Sequence, residues 1–393
     1  MLIVVVVTTP AALLAQEIPV SAIVGKCESN YRELLSAMEG VPQDRAPRSY
    51  QNGRVVTVPP KDWCSGFFAG SLWYMYELTG KRFWRERAIA YTERLIEPLR
   101  HDANNHDVGF RTYCSAGNAL RLTGEARYAD FLHDTAAALR TRYNERAGVI
   151  CSWDAARNKG TGYFASHCLV IIDNMMNLEL LEWDAKHGGA PESHRIACNQ
   201  ANATDRHHFR PDGSSYHILD YNPDTSKINA IYAGQGACVE GVWARGQAWA
   251  IYGFTVMYRE TRNQRYLDRA IKSAEYWLSA PMPADGVPYW DFKAEKIPNE
   301  PRDASAAAIV ASAFLELRTY VPPDKSAVYE QTAFRILSSL TSSDYFCQPN
   351  ECGGFILRHS TGCRPRNVEV DVPLCYADYY LLEALVRLSR DRQ

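Results

Sequence analysis

The chain has 393 residues, of which 46% are hydrophobic and 22% charged, and its formal net charge is -2. This composition supports a substantial core and is too apolar for a disordered protein, while the balanced charge provides no basic surface for nucleic acid and no charged tail. The aromatic content is high, with 9 Trp and 23 Tyr. Such amphipathic rings suit sugar-binding clefts as well as the contacts between packed helices.

The N-terminal segment, residues 1–15, reads MLIVVVVTTPAALLA and is too short an apolar run to span a bilayer. It is similar to the core of a signal peptide and ends in small residues, although no Lys or Arg precedes it. We therefore expect a signal peptide over residues 1–15, a single domain over residues 16–393 and no membrane partner. The expected location is extracellular, and the alternative is the cytoplasm.

A degenerate helical repeat follows, in which one helix ends at a polar turn and an aromatic residue starts the next helix. Its clearest copies place the turn at Thr79, Thr123 and Thr261, a spacing that fits a unit of about 45 residues. With weaker copies and a last helix over residues 376–390, about six helical hairpins result. This predicts an all-α fold, the closed (α/α)6 barrel, with an open α-solenoid as the alternative. Residues 209–228 contain turn signals and predict a small inserted β-hairpin.

The 11 cysteines agree with an oxidising compartment, but an odd number leaves at least one of them unpaired. Four of them lie in apolar contexts and are expected to be reduced core residues: Cys64, Cys114, Cys168 and Cys375. The chain contains no Cys-x-x-Cys pair and no His-x-x-x-His pair. The sequence therefore predicts no zinc site, and no other metal is expected.

Two aspartates lie among apolar neighbours, Asp107 in HDVGF and Asp173 in IIDNMMN. A buried carboxylate is costly, and burial or a second nearby carboxylate raises its pKa, so an acid can keep its proton at neutral pH. Asp107 comes just before a predicted helix, whereas Asp173 is expected inside an apolar helix with Asn177 on the same face. In a closed barrel both would face one mouth and carry the chemistry. The alternative is a structural role, as a helix cap and in a hydrogen-bond network.

Four further residues are candidates for binding a ligand. Trp63 precedes a helix start that contains two glycines and is expected to be a stacking surface, and His217 follows a turn onto a strand-like segment. Arg245 and Trp249 share one helical face, where a guanidinium matches a carboxylate and an indole offers a surface for a sugar ring. The alternatives are a cation–π pair of Arg245 and Trp249 in the core and a structural role for His217.

Six segments follow one another from about residue 60 to residue 388. They read WCSGFFAGSLWYMYELTG, HDVGFRTYCSAGNALRLTG, IIDNMMNLELLEW, RPDGSSYHILDYNPDTSK, GVWARGQAWAIYGFTVMYRETRNQRYL and VDVPLCYADYYLLEAL. Together they closely resemble the unsaturated glucuronyl hydrolases of glycoside hydrolase family 88, and the pair IIDNMMN and WARGQAW is highly specific. The resemblance implies an (α/α)6 barrel that hydrolyses Δ4,5-unsaturated uronic acids at the non-reducing ends of lyase products. No cofactor is expected.

The resemblance also assigns roles to individual residues. The essential aspartates of the family map onto Asp107 and Asp173, and its binding residues map onto Trp63, His217, Gln235, Arg245 and Trp249, with His106 lining the same pocket. The expected reaction protonates C4 of an unsaturated glucuronic acid and hydrates C5, with Asp173 as the acid and Asp107 holding charge beside it. Arg245 is expected to bind the uronate carboxylate. Residues 347–366 depart from the family pattern and leave the preferred aglycone open.

Two other functions are alternatives. An unsaturated rhamnogalacturonyl hydrolase would share the fold and the chemistry but act on rhamnose-linked pectin fragments. A non-catalytic sugar-binding toroid would be expected to lack one of the aspartates, yet both are present together with Arg245 and Trp249. The sequence leaves the parent polysaccharide and the oligomeric state open.

Overall fold

The computed structural model describes residues 18–153 and 168–391, and this part of the chain is mostly helical. Its α-helices are α1 (Val20–Ala37), α2 (Ser65–Thr79), α3 (Arg82–Leu99), α4 (Val108–Thr112), α5 (Asn118–Thr123), α6 (Ala126–Arg140), α7 (Leu178–Lys186), α8 (Pro191–His207), α9 (Ala244–Thr261), α10 (Gln264–Ser279), α11 (Ala304–Leu317), α12 (Pro323–Leu340) and α13 (Cys375–Arg390). A π-helical turn, Tyr113–Gly117, joins α4 to α5, and a 3-10 helix, Ile172–Asn177, leads into α7. The expected signal peptide, residues 1–15, lies outside the described residues.

The helices form two concentric rings. Inner helices such as α9 and α11 are buried around almost their whole circumference, whereas outer helices bury one stripe. In α10 that stripe consists of Tyr266, Leu267, Ala270, Ser273, Ala274 and Trp277. Around the inner ring, α2 packs against α4, α4 against the 3-10 helix, the 3-10 helix against α9, α9 against α11, α11 against α13, and α13 against α2. This closed ring confirms the predicted (α/α)6 barrel.

Each inner element is paired with an outer helix. Five of the hairpins follow chain order and use α3, α6, α8, α10 and α12 as outer helices. The sixth joins opposite ends of the described chain, because α13 is the last inner helix and its outer neighbour is α1. Within the described residues, no helix is long and apolar enough to cross a membrane.

The repeated threonine turn is a device that ends the inner helix. Its copies are Thr79, Thr123 and Thr261. In each copy the threonine hydroxyl donates to the carbonyl four residues earlier, and the same oxygen accepts the backbone N–H two residues later. The next residue adopts the left-handed backbone conformation, which Gly80 and Gly124 allow without strain and which Arg262 adopts in the third copy. The sequence repeat therefore reflects the same helix-ending turn, formed three times.

Small antiparallel sheets connect the helices. Three pairs are β1 (Ala46–Gln51) with β2 (Arg54–Val58), β3 (Tyr143–Asn144) with β4 (Val149–Ile150), and β8 (Ser360–Cys363) with β9 (Val368–Val372), while β6 (Ile218–Tyr221) lies between β5 (Cys168–Ile171) and β7 (Ile228–Tyr232). The inserted hairpin predicted over residues 209–228 is therefore present as β6–β7, but displaced toward the C terminus. The turn after Arg210 closes only an isolated bridge between Phe209 and Ser215, so it precedes the hairpin.

The structure corrects one expectation about the cysteines. Disulfides join Cys151 to Cys168 and Cys347 to Cys352. The expectation that Cys168 is a reduced core residue is wrong, because β5 runs beside the segment after β4 and the Cα atoms of Cys151 and Cys168 come within 5.1 Å. The Ser152 N–H, which donates to the carbonyl of Leu169, holds the two segments together. The other three expected core residues, Cys64, Cys114 and Cys375, are free thiols.

Candidate active site

A cavity of about 860 Å³ opens at the end of the barrel where the inner helices begin. Its wall is formed by residues ahead of α2 and α4, by the first turns of the 3-10 helix, α9 and α13, and by loops beside the small sheets. Seven of the predicted site residues line this cavity: Trp63, His106, Asp107, Asp173, His217, Gln235 and Arg245. The closed ring thus brings residues from most of the chain to one site.

Asp107 lies at the N-terminal end of α4, but its side chain makes no capping hydrogen bond, which contradicts the helix-cap alternative. Its Oδ1 lies 3.1 Å from Nε2 of His106. The other ring nitrogen of His106 lies 3.1 Å from the carbonyl oxygen of Ser152 and must carry a proton, because a carbonyl only accepts. Burial raises the pKa of Asp107 and lowers the pKa of His106. Burial thus shifts both groups toward their neutral forms, while the positive charges of Arg111 and Arg142 oppose this shift in the pKa of Asp107.

Asp173 lies in the first turn of the 3-10 helix that follows β5, so its expected position inside an α-helix is wrong. The strand-like pairing continues to the preceding residue, because the Ile172 N–H donates to the carbonyl of His217. The chain then turns sharply, and Asp173 lines the cavity. Asn177 stabilises this turn: its Nδ2 donates to the Asp173 carbonyl at 3.3 Å, and its Oδ1 accepts the Phe110 N–H at 3.1 Å. Asn177 thereby ties the 3-10 helix to α4.

The carboxyl group of Asp173 is buried, and its Oδ2 has no hydrogen-bond partner among the described residues. Burial, followed by the charge of Asp107, raises its pKa to about 7, while Arg245 and the indole N–H of Trp249 oppose this shift. The indole N–H lies near the carboxyl group but is outside hydrogen-bonding geometry. Asp173 is therefore an acid that keeps its proton up to about neutral pH at the wall of the cavity.

His217 immediately precedes β6, and the loop after β7 fixes its ring. Nδ1 accepts the backbone N–H of Gln235 at 2.8 Å, so the neutral ring carries its proton on Nε2. Burial lowers the pKa of His217 to about 3, which keeps the ring neutral. Nε2 lies 3.7 Å from Oδ2 of Asp173, and the Gln235 side chain donates to the carbonyl of Gly362 at 3.1 Å. His217 therefore presents a neutral donor beside the acid.

Arg245 is buried in the first turn of α9 and has several partners. It donates to the carboxylate of Asp303 at 2.9 Å and to the carbonyls of Thr361 and Gly362 at 2.5 and 2.6 Å. Its guanidinium also lies over the ring of Trp243, 4.5 Å from the ring centroid. Arg245 thus forms a cation–π pair with Trp243 and not with Trp249, as the alternative expected, and the same guanidinium lines the cavity. Arg245 places positive charge at the cavity and holds β8 in position.

The two predicted tryptophans have different surroundings. Trp63 is half-buried in the cavity wall, where its ring packs against Phe110 and Tyr376. Trp249 is completely buried behind the wall, between Phe110 and Tyr380. Trp249 therefore offers no exposed face for stacking on a sugar, and its contribution to the site is an indole N–H near Asp173 that opposes the rise in the pKa of the acid.

Sequence reasoning missed several residues of the cavity wall. Arg48 on β1 bridges two of them, Asp62 at 3.0 Å and Glu369 at 2.5 Å. Asp62 directly precedes Trp63 and could have been found from that motif, whereas Arg48 and Glu369 are 321 residues apart and carry no shared signal. Tyr376 lies in the first turn of the last inner helix, and its hydroxyl has no hydrogen-bond partner among the described residues.

Comparisons with known proteins identify the family of the chain. The family model described as Glycosyl Hydrolase Family 88 matches residues 42–280. The unsaturated glucuronyl hydrolase of Formosa agariphila is 42% identical over 364 residues, which cover 92% of this chain and 88% of that protein. The unsaturated glucuronyl hydrolase of Bacillus sp. strain GL1 is 34% identical, with 88% of this chain and 92% of that protein covered. A solved unsaturated glucuronyl hydrolase specific for heparin has a TM-score of 0.88 and 39% identity, covering 95% of this chain and 98% of its own. The chain therefore belongs to glycoside hydrolase family 88, as an enzyme of the unsaturated glucuronyl hydrolase type.

Proposed function

We propose that this enzyme removes a Δ4,5-unsaturated glucuronic acid from the non-reducing end of oligosaccharides produced by polysaccharide lyases, by protonating C4 and adding water at C5. The observation that carries the proposal is the buried carboxyl group of Asp173, with a pKa raised to about 7 and an unpartnered Oδ2 beside the cavity. The similarity to two unsaturated glucuronyl hydrolases supports the substrate class.

The double bond of the substrate is an enol ether, which determines the order of steps. Asp173 gives its proton to C4, and the positive charge that develops at C5 is shared with the ring oxygen. Water then adds to C5 and loses a proton to the Asp173 carboxylate, which restores the acid. The resulting hemiketal opens to a ketone, the hemiacetal left at C1 collapses, and the aglycone leaves as an alcohol. Because C1 is not attacked, the separation of the carboxyl groups does not predict retention or inversion.

Asp107 keeps the acid ready for this step. Its charge raises the pKa of Asp173. The Asn105 side chain accepts the Asp107 N–H at 2.9 Å and fixes its backbone, and Nε2 of His106 lies 3.1 Å from its Oδ1. The two carboxyl groups titrate as a coupled pair. Once Asp173 has lost its proton, the positive charge that develops on the sugar lies close to both carboxyl groups and is stabilised by them.

The carboxylate of the substrate requires positive charge and neutral donors. Arg245 supplies the charge, although its bonds to Asp303 and to two carbonyls leave it acting mainly through its field. His217 adds a neutral Nε2–H, and the unpartnered hydroxyl of Tyr376 lies in the same wall. Gln235 positions His217 through its backbone N–H.

The proposal is tested by replacing the acid while preserving its shape. Asp173→Asn should lower turnover of an unsaturated glucuronyl disaccharide by about 100- to 10,000-fold, because the amide cannot donate the proton. Loss of the enol ether absorbance measures turnover, and calorimetry should still detect binding of the disaccharide. Asp130→Asn on the exposed face of α6 is the matched control and should retain full activity.

The choice of substrate separates the proposal from its alternatives. A saturated glucuronide should not be cleaved, because it has no double bond to protonate, and cleavage of it would contradict the hydration mechanism. Faster turnover of a rhamnose-linked disaccharide than of a glucuronyl-linked glycosaminoglycan disaccharide would assign the chain to the rhamnogalacturonyl alternative. Tight binding without turnover of any unsaturated disaccharide would instead support the non-catalytic toroid.

A further inference from the structure

A cluster of three potential metal ligands lies on the hairpin formed by α7 and α8. Glu182 on α7 is buried, whereas His194 and Cys198 on α8 are exposed and half-buried, respectively, and lie one helical turn apart on the same face. One ligand atom from each residue lies within 4.8 Å of the other two. None of these residues lines the active-site cavity, so the cluster is a separate feature.

The distances within the cluster are close to those of a coordination sphere. His194 Nδ1 lies 2.9 Å from Glu182 Oε2 and 3.1 Å from Oε1. Cys198 Sγ lies 3.9 Å from Glu182 Oε1 and 4.0 Å from His194 Nδ1. A tetrahedral zinc ion bonded at about 2.0–2.3 Å holds its ligand atoms about 3.3–3.7 Å apart. Small rotations of the imidazole and the thiol therefore bring all three atoms to bonding distance of one ion.

The donor atoms select the class of metal. A thiolate, an imidazole and a carboxylate together suit Zn²⁺ and similar transition metals, whereas Mg²⁺ and Ca²⁺ require mainly oxygen ligands. The buried carboxylate of Glu182 has His194 and Cys198 as its hydrogen-bond partners, so a cation held by those two residues would neutralise it. The exposed side of His194 gives the ion a route from solvent.

We propose that Glu182, His194 and Cys198 form a Zn²⁺ site in which water completes the tetrahedron. This site was not expected from the sequence, because the ligand pair on α8 is His-x-x-x-Cys and the third ligand comes from the preceding helix. Bound zinc would fasten α8 to α7, which continues directly from the 3-10 helix that carries Asp173. The role of the site is therefore structural, and it does not depend on the proposed reaction.

The test is metal binding to the purified full-length chain after treatment with a chelator. Zn²⁺ titrated by calorimetry should bind once per chain and raise the melting temperature, and Co²⁺ should produce the charge-transfer absorbance of a thiolate ligand. Cys198→Ser, His194→Ala and Glu182→Gln should each weaken Zn²⁺ binding by at least the roughly 10- to 100-fold effect that outer partners of metal ligands already show. Cys238→Ser removes an exposed free thiol elsewhere and should leave Zn²⁺ binding unchanged.

Two results would overturn the site. One is the absence of saturable Zn²⁺ uptake, and the other is uptake that survives both Cys198→Ser and His194→Ala. In either case the cluster is an ion pair between His194 and Glu182 with a thiol beside it. Circular dichroism identifies variants that fail to fold. Because His194 is exposed and Cys198 is only half-buried, these two variants carry the test even if Glu182→Gln unfolds the chain.

Discussion

Asp173 has a raised pKa, and one of its carboxyl oxygens has no hydrogen-bond partner among the described residues. Both properties follow from its burial, and both suit an acid that donates a proton. An isolated buried carboxylate is costly, so the protonated form is the one that burial favours. Most structural aspartates avoid this cost by finding a cation or several N–H donors. At this site the backbone, Arg245 and Trp249 oppose the shift but do not cancel it. The protein therefore retains an acid at the pH where an enol ether must be protonated.

The pH dependence of activity should follow from this acid. Because the protonated form is the donor, kcat/KM should be highest below the pKa of about 7 and fall by about tenfold per pH unit above it. The charge of Asp107 contributes to the raised pKa, so in Asp107→Asn the descending limb of the remaining activity should move to lower pH. Profiles of kcat/KM for both proteins measure this shift. Activity that stays constant to pH 9 in the unmodified enzyme would contradict the assignment.

The contact between α4 and the 3-10 helix sets the distance between the two aspartates. A Cβ atom on Gly109 would lie 2.8 Å from Cα of Asn177, closer than packed atoms allow. Gly109→Ala should therefore push the two elements apart, destabilise the fold by about 1–3 kcal/mol and lower kcat/KM. Chemical denaturation and the absorbance assay measure these effects.

A matched glycine provides the control. Gly25 lies in α1, and a Cβ atom there would meet nothing within 4 Å. Gly25→Ala should leave activity unchanged and stabilise the helix by up to about 1 kcal/mol, because alanine is the better helix former. If Gly109→Ala retained full activity, the 3-10 helix would not be what positions Asp173 against Asp107.

Local sequence patterns predicted some elements better than others. The threonine turns were found because each combines two short-range hydrogen bonds with a left-handed residue, all encoded within about six residues. The position of Asp173 was not found, because an apolar run such as IIDNMM fits a strand end, a 3-10 turn or a buried helix equally well. The pairing of Cys168 with Cys151 was missed for a related reason, since it depends on which strand lies beside β5.

A buried carboxylate, which we call the polar hub, links four inner helices at the centre of the barrel. Glu383 on α13 accepts hydrogen bonds from Tyr74 on α2, Tyr252 on α9 and Ser312 on α11. Glu383→Ala would leave buried hydroxyls without an acceptor, so the free energy of unfolding should fall by about 3–5 kcal/mol while kcat/KM of the folded protein is retained. Denaturant titration measures the change, and Glu86→Ala in an exposed ion pair should change stability by less than about 0.5 kcal/mol. Equal effects of the two substitutions would show that the hub does not stabilise the ring.

The ring as a whole explains which parts of the site could be predicted. Asp107, His217 and Arg245 could be predicted from the sequence because each lies in a short motif of unusual composition. The Arg48–Glu369 pair could not be predicted from the sequence, since only closure of the ring brings these residues together. The burial of Trp249 could not be predicted either, because a helical pattern shows which residues share a face but not which elements pack against that face. In the folded protein α9 is buried on almost every side.

Pairing of α13 with α1 has a consequence for how the protein forms during translation. Five inner-to-outer pairs can assemble as they leave the ribosome, but α2 meets its inner neighbour α13 only after nearly the whole described chain has emerged. Glu369 and Tyr376, which complete the cavity wall, arrive at the same late moment. A nascent chain therefore carries both aspartates long before the residues that close the ring and complete the cavity wall have emerged, so we expect catalytic competence only after α13 has been synthesised.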